Sequence, residues 1–336
     1  MSGQIDRARS EVSGVALALV SAAAFGTSGP LAKSLLESGW SPGAAVAARI
    51  TGAAALLVVP AAIELRGRWD VLRSNAGLIL AYGLVAIAGC QLFYFNAVQT
   101  LSVGVALLLE YLGLILVVAW LWFRGQRPRH WTVVGVVLAV LGLILVLDVT
   151  GSAGLDPVGV AWGLGAAVCL AVYFTLSARE STGVPPLTMA ASGMVVAAAG
   201  LWAAAGLGAL PMRFRSAEVD LAGAVLPWFV PLVGLCVLST SFAYATGIAA
   251  ARSLGPKLAA FLGLTEVLFA VAIAWVLLDE LPLPVQLLGG VLILSGVAAV
   301  RYDELTAAPG SARDSAPDSA PSVAGRPLDE SGPGVE

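Results

Sequence analysis

The sequence predicts an all-α integral membrane protein with about ten transmembrane helices arranged as two inverted five-helix repeats. Three observations carry this prediction: an apolar excess that no aqueous fold could hide, its division into blocks of membrane-spanning length, and an echo of the first half in the second. Of 336 residues, 59% are hydrophobic and only 12% are charged. The mean hydropathy is +0.91. The apolar residues come in long runs separated by short polar breaks, which is the pattern a bilayer selects.

At roughly 20 apolar residues per crossing, helices are predicted over 13–36, 43–64, 76–99, 101–123, 131–149, 157–179, 187–209, 224–250, 255–278 and 283–300. The junctions at Thr100 and at Ser253 to Pro256 are so short that the helices they join must form tight hairpins; the other breaks carry the Pro, Gly and charged residues of loops. Residues 1–12 read as a cytoplasmic N-terminus carrying Arg7 and Arg9. The block that follows runs on to Leu36 and is succeeded by further spans, so it reads as a retained helix rather than a cleaved signal. Residues 13–150 then form the first repeat and 151–304 the second. Residues 305–336, rich in Ala, Pro, Ser, Gly and Asp, cannot build a core and read as a disordered cytoplasmic tail.

An even number of crossings puts both termini on one side. Twelve arginines and lysines, among them Arg66, Arg124 and Arg252, fall on that side, against Lys33, Arg213 and Arg215 on the other. The excess places both termini in the cytoplasm, and Asp148, Asp156, Asp279 and Glu280 at the outer face. Trp40, Trp69, Trp131 and Trp228, near block ends, suit interfacial anchoring.

The internal echo is specific. Gln126, Pro128, Gly135 and Gly142 recur as Glu280, Pro282, Gly289 and Gly296 at an offset of 154, and Gly83, Ser102 and Gly104 recur as Gly234, Ser253 and Gly255 at an offset of 151. The opening helices match through Gly14, Val15 and Ala16 against Gly159, Val160 and Ala161, at an offset of 145. About five helices per half is an odd number, which forces the halves into opposite orientations. That is the architecture of many secondary transporters, whose substrate site lies near the midplane between repeats.

The segments LSVGVALLLEYLGLILVVAWLWFRGQRPRHWTVVGVVLAVLGLILV and ARSLGPKLAAFLGLTEVLFAVAIAWVLLDELPLPVQLLGGVLILSGVAAV resemble the paired EamA repeats of the drug/metabolite transporter superfamily, over roughly residues 13–300 of the chain. In that family a glutamate in the second repeat is followed by an acidic residue opening the last loop, and Glu266 and Glu280 have that spacing, with Val267 where the family has proline. The LLLEYLG segment is also similar to the branch containing threonine/homoserine exporters, with Leu114 where that branch has proline. The resemblance implies a transporter of small metabolites, amino acids or drug-like molecules, working as an exporter.

Three ionisable residues, Arg49, Glu110 and Glu266, stand well inside predicted spans, away from their ends, where an unpaired charge is costly and functional by default. Counting residues from the outer ends puts Arg49 ~9 Å and Glu110 ~13 Å deep, so the two can meet as a salt bridge. On one reading they only neutralise each other and hold two helices in register. On the other, Arg49 binds a substrate carboxylate or phosphate and Glu110 gates or takes an amine; the second half offers only Ser192 or Gly193 opposite position 49. Glu266, ~16 Å deep, suits a proton carrier or a fixed hydrogen-bond partner. Gln91, Tyr94 and Tyr244 are candidates to complete the pocket, with Gln91 and Tyr94 three residues apart on one helix face.

Other classes lack their parts. The single histidine, His130, lies in a predicted loop, and the three cysteines, Cys90, Cys169 and Cys236, share no short spacing, so no catalytic residues, metal site or disulfide framework are expected. No P-loop is present to bind ATP, and no basic stripe to bind nucleic acid. No cofactor is expected. The expected partners are a small-molecule substrate and membrane lipid, with a homodimer left open. A non-transporting receptor or lipid scramblase on the same fold is the alternative from another class. Sixteen arginines against two lysines fit a high-GC genome and a bacterial inner membrane.

Overall fold

The computed structural model describes residues 2–125, 130–146, 155–177, 183–254, 259 and 262–306. The expected disordered tail falls almost wholly outside these residues, as do Gln126, Pro128, Asp148, Gly255 and Pro256.

Among the described residues, seven helical segments are long and apolar enough to cross a membrane: Ser13–Glu37, Pro42–Leu65, Ala76–Ala97, Val103–Trp120, Pro157–Leu176, Pro186–Gly206 and Phe229–Leu254. Three shorter apolar helices, His130–Val146, Thr265–Leu278 and Pro284–Val300, occupy the remaining predicted positions. Local chemistry sets their boundaries. The first segment is divided at Thr27 into α1 (Ser2–Gly26) and α2 (Ser28–Glu37). Pro30, in the first turn of α2, lacks the N–H that would continue the ladder. Helix α3 (Pro42–Leu65) opens on an extended Ser41 whose hydroxyl accepts from the Ala44 N–H, with Pro42 at the first helical position. It ends where Arg66 and Gly67 turn left-handed at φ 50° and 79°.

The short helix α4 (Trp69–Ser74) precedes the third segment, which joins α5 (Ala76–Ala81) to a π-helical stretch at Tyr82–Gly89 and then α6 (Cys90–Ala97). The fourth comprises α7 (Val103–Tyr111), capped by Ser102, and α8 (Gly113–Phe123). Then follow α9 (His130–Val146), α10 (Pro157–Ser177) and α11 (Pro186–Gly206). The eighth segment repeats the design of the third: α12 (Phe229–Val233), a π-helical stretch at Gly234–Phe242, and α13 (Ala243–Leu254). Last come α14 (Thr265–Leu278) and α15 (Pro284–Thr306). The two π stretches begin at Tyr82 and Gly234, beside the Gly83 and Gly234 match of the sequence repeat.

Packing exchanges the two halves. Helix α3 lies on α11 and α9 lies on α15, while α1 packs on α13 and α14 as α10 packs on α6, α7 and α8. At the α9–α15 seam a Cβ on Gly135 would lie 2.4 Å from the Gly296 carbonyl oxygen, and one on Gly142 would lie 2.5 Å from that of Gly289. The sequence repeat equates Gly135 with Gly289 and Gly142 with Gly296, so each glycine touches the equivalent of the other. The two helices therefore run antiparallel, related by a local two-fold exchange, and only glycine lets their backbones approach so closely.

The radial distribution is inverted relative to a soluble protein. Ile63 and Val276 are each 69% exposed, whereas Arg49 is 2% exposed and Ser239 is fully buried. Apolar side chains pointing outward suit lipid, and polar ones inward suit an interior site.

The all-α expectation needs one correction. Strands β1 (Glu218–Leu221) and β2 (Ala224–Pro227) form an antiparallel hairpin, turned at Ala222 and Gly223 with φ 57° and 75°. Residues 224–227, predicted as the opening of the eighth span, are its second strand. Hydropathy reads Ala224–Leu226 as apolar but is blind to the turn that pairs this run with β1. The hairpin is fixed by the Ala222 N–H donating to the Leu277 carbonyl at 2.9 Å, and Trp40 Nε1 anchors the segment before it through the Arg215 carbonyl at 2.7 Å.

Candidate functional site

Arg49 is the centre of the buried polar cluster. Helix α3 carries it inward, and its guanidinium meets groups from both halves of the chain. Nε donates to Thr240 Oγ1 at 2.8 Å, Nη1 to Ser28 Oγ at 2.7 Å and to Gln91 Oε1 at 2.6 Å, and Nη2 to the Ser239 carbonyl at 3.4 Å. The Phe95 ring lies under it, 5.6 Å from Cζ to the centroid, close enough for a cation–π contact. Every one of these acceptors is neutral.

Each partner is placed by a local irregularity. Ser28 opens α2 at the break in the first segment. Ser239 and Thr240 belong to the second π stretch, where the hydroxyls of Thr240 and Ser241 turn back to the carbonyls of Leu235 and Cys236, five residues earlier. A π stretch widens the helix by a residue per turn, shifts the faces that follow, and recurs at functional sites. Here it lets Thr240 donate to Leu235 while accepting from Arg49.

The salt bridge between Arg49 and Glu110 that their depths allow is not formed. Glu110 is partly buried and accepts from Cys90 Sγ at 3.2 Å. Helix α7, which carries it, packs on α10 and α14, whereas α3 packs on α11, α6 and the second π stretch. Depth along an axis fixes one coordinate and leaves the lateral neighbour open. Glu266, in the first turn of α14, accepts from Tyr111 Oη at 3.0 Å. Adjacent residues of α7 thus address different sides: Glu110 faces α6 and Tyr111 reaches α14. Neither carboxylate is in contact with Arg49, whose hydrogen-bond acceptors are all neutral.

Gln91 contacts Arg49 directly. Tyr94 is buried one turn further on, and its hydroxyl lies 2.6 Å from where a Cβ on Gly29 would be, so only glycine fits there. Tyr244 stacks edge-on against Phe25 with centroids 5.2 Å apart. Ser28 and Phe95 complete the cluster and were not singled out from sequence; the Thr-Ser-Gly-Pro break is the signal that could have found Ser28. An apolar cavity of about 280 Å³ lies apart from this cluster, between α7, α14 and α15, where the exposed Trp275 and Val291 put it toward lipid.

Comparisons with known proteins agree with this architecture. A family model described as the EamA-like transporter family matches residues 12–148 and 157–302, one copy per half. The chain is 30% identical over 214 residues to the threonine/homoserine exporter RhtA of Escherichia coli (strain K12), covering 62% of this chain and 66% of that protein, just under two thirds of its length. It is 33% identical over 120 residues to the threonine/homoserine exporter RhtA of Salmonella typhimurium (strain SL1344), covering 35% of this chain and 39% of that one. One solved crystal structure superposes with a TM-score of 0.55 at 21% identity, over 84% of this chain and 96% of the other, a likeness of fold alone.

Proposed function

The chain belongs to the EamA-like transporter family, a family of membrane transporters and not of enzymes, and from that premise we propose that it is a secondary carrier exporting a small carboxylate-bearing metabolite, an amino acid of the size of threonine or homoserine. The observation that carries this reading is the buried guanidinium of Arg49, held by four neutral acceptors with no carboxylate in contact. A cation so placed is desolvated and electrostatically incomplete, and a substrate carboxylate completes it with charge-assisted hydrogen bonds. The exporters named above handle such molecules, which supports the same class of substrate here. Glu110 and Glu266 supply the negative poles for the substrate ammonium or for a coupling proton.

In this reading the protein has ten spans as two inverted repeats, 13–150 and 151–304, in a bacterial inner membrane with both termini cytoplasmic. The positive charge bias of the loops and the exchange packing of the halves support it. The test is flux of radiolabelled threonine and homoserine in proteoliposomes. Arg49→Gln should reach the membrane in normal amount and lose transport by about 10- to 100-fold, the range expected when a hydrogen bond to a charged group is lost. Flux in Arg49→Gln equal to wild type would remove the proposal.

A further inference from the structure

We propose that two cross-repeat ion pairs, Lys33–Glu280 at one face of the bundle and Glu64–Arg252 at the other, are the latches that close the two ends of the Arg49 site, and that both are shut in the conformation described. The proposal rests on the carrier reading above and adds to it the residues that control access.

The two latches are built alike. Glu280, from the second half, pairs with Lys33 of the first, and its Oε2 accepts from the Val103 N–H, the first residue of α7, at 3.1 Å. Lys33 also donates to the Leu101 carbonyl at 3.1 Å. Glu64, from the first half, pairs with Arg252 of the second, and its Oε2 accepts from the Thr188 N–H at 2.9 Å and hydroxyl at 3.1 Å, in the first turn of α11. Each carboxylate therefore leaves its own half to bind a cation and the positive end of a helix in the other.

They stand at opposite ends. Helix α3 starts at Pro42, just beyond the end of α2 that carries Lys33, and reaches Glu64 22 residues later, which at ~1.5 Å per residue is about 33 Å away. Arg49 lies between, about 10 Å from the Pro42 end. Opening either end requires the halves to part there, and at each end the ion pair with its capping hydrogen bonds is the charged contact that bridges them, beside the neutral hydrogen bonds of Trp40 and Ser41 to residues 211–215 at the Pro42 end and the packing of α1 on α13 at the other. A pair at the membrane surface gains little once water reaches both partners, so each latch can break and re-form. A pair that only stabilised the fold would have no reason to bridge the halves at both ends in the same way.

Cys236 reports on access. It lies in the second π stretch with Sγ 3.6 Å from the Arg49 carbonyl oxygen. Its labelling by a membrane-impermeant maleimide is followed in vesicles of both orientations, with no substrate present. Glu64→Gln should raise labelling from the Glu64 face, and Glu280→Gln from the opposite face, each by about two- to fivefold, the population change that losing one partly covered surface pair produces. Labelling that is unchanged, or that rises equally from both faces, would overturn the latches while leaving the flux assay of the carrier intact. Where a neutral variant does not reach the membrane, Lys33→Cys with Glu280→Cys, and Glu64→Cys with Arg252→Cys, decide instead. Oxidation should then stop flux through each pair, and reductant should restore it. Flux that survives either cross-link refutes the proposal.

Discussion

The seam between α9 and α15 and the cluster around Arg49 are built on opposite plans. At the seam the two halves meet through equivalent glycines, backbone against backbone. At the centre they meet through unlike residues: the first half supplies a guanidinium, a serine and a glutamine, and the second supplies the Ser239 carbonyl and the Thr240 hydroxyl. The repeat thus serves the scaffold where it is kept and the site where it has been broken. A cation on one half and acceptors on the other make the centre a place where relative movement of the halves changes the chemistry.

The largest expected effect comes from breaking the seam. Gly142→Val puts a branched side chain against the Gly289 carbonyl and the Ile293 backbone nitrogen, both of which are main chain and cannot turn aside. Overpacking of this kind typically costs about 1–3 kcal/mol, and here the helices must separate along the whole contact. The thermal midpoint in detergent should fall and folded yield should drop. Gly77→Ala, where nothing lies within 4 Å of the added Cβ, should leave both unchanged. Equal stability of the two variants would mean that the seam does not hold the halves together.

The same contrast explains what could be read from sequence. Gly135, Gly142, Gly289 and Gly296 were legible because they recur at fixed spacing, and a seam of small residues needs that periodicity. Arg49 stood out in the sequence because an unpaired charge inside an apolar run is costly. Gln91 was named as a pocket residue, but its pairing with Arg49 was not legible. A π stretch has no residue signature, so the turn that brings Thr240 to Arg49 is invisible until the backbone is seen. The Arg49–Glu110 contact that their depths allowed is not made, because depth says nothing about which helices are neighbours. The hairpin at 218–227 was absorbed into a predicted span because Val225 and Leu226 are as apolar as a helix opening.

The centre is sharpened next by Tyr111→Phe. The phenol is the donor to Glu266 and ties α7 to α14 across the two halves. Removing it leaves a carboxylate in the interior without that charge-assisted bond, a loss of about 1.5–3 kcal/mol. Flux should fall by about 10- to 100-fold with folded yield close to wild type, because the ring itself remains. A variant that transports normally would confine Glu266 and Tyr111 to a structural role.

The smallest effect separates two neighbouring hydroxyls of the second π stretch. Thr240 and Ser241 both donate to carbonyls five residues earlier, at 2.7 and 2.8 Å, so both support the stretch, but Thr240 alone also accepts from Arg49. Thr240→Val keeps the branched shape and removes the acceptor. Because Ser28, Gln91 and the Ser239 carbonyl still hold the guanidinium, the loss should lie at the low end for a hydrogen bond to a charged group, about 1.5 kcal/mol, or roughly tenfold in apparent affinity for substrate. Ser241→Ala loses the same backbone bond and no contact with Arg49, so its KM should match wild type while its thermal midpoint shifts about as far as that of Thr240→Val. Equal KM values for the two variants would show that the π stretch matters through its backbone alone, and that Arg49 does not depend on Thr240 for its aim.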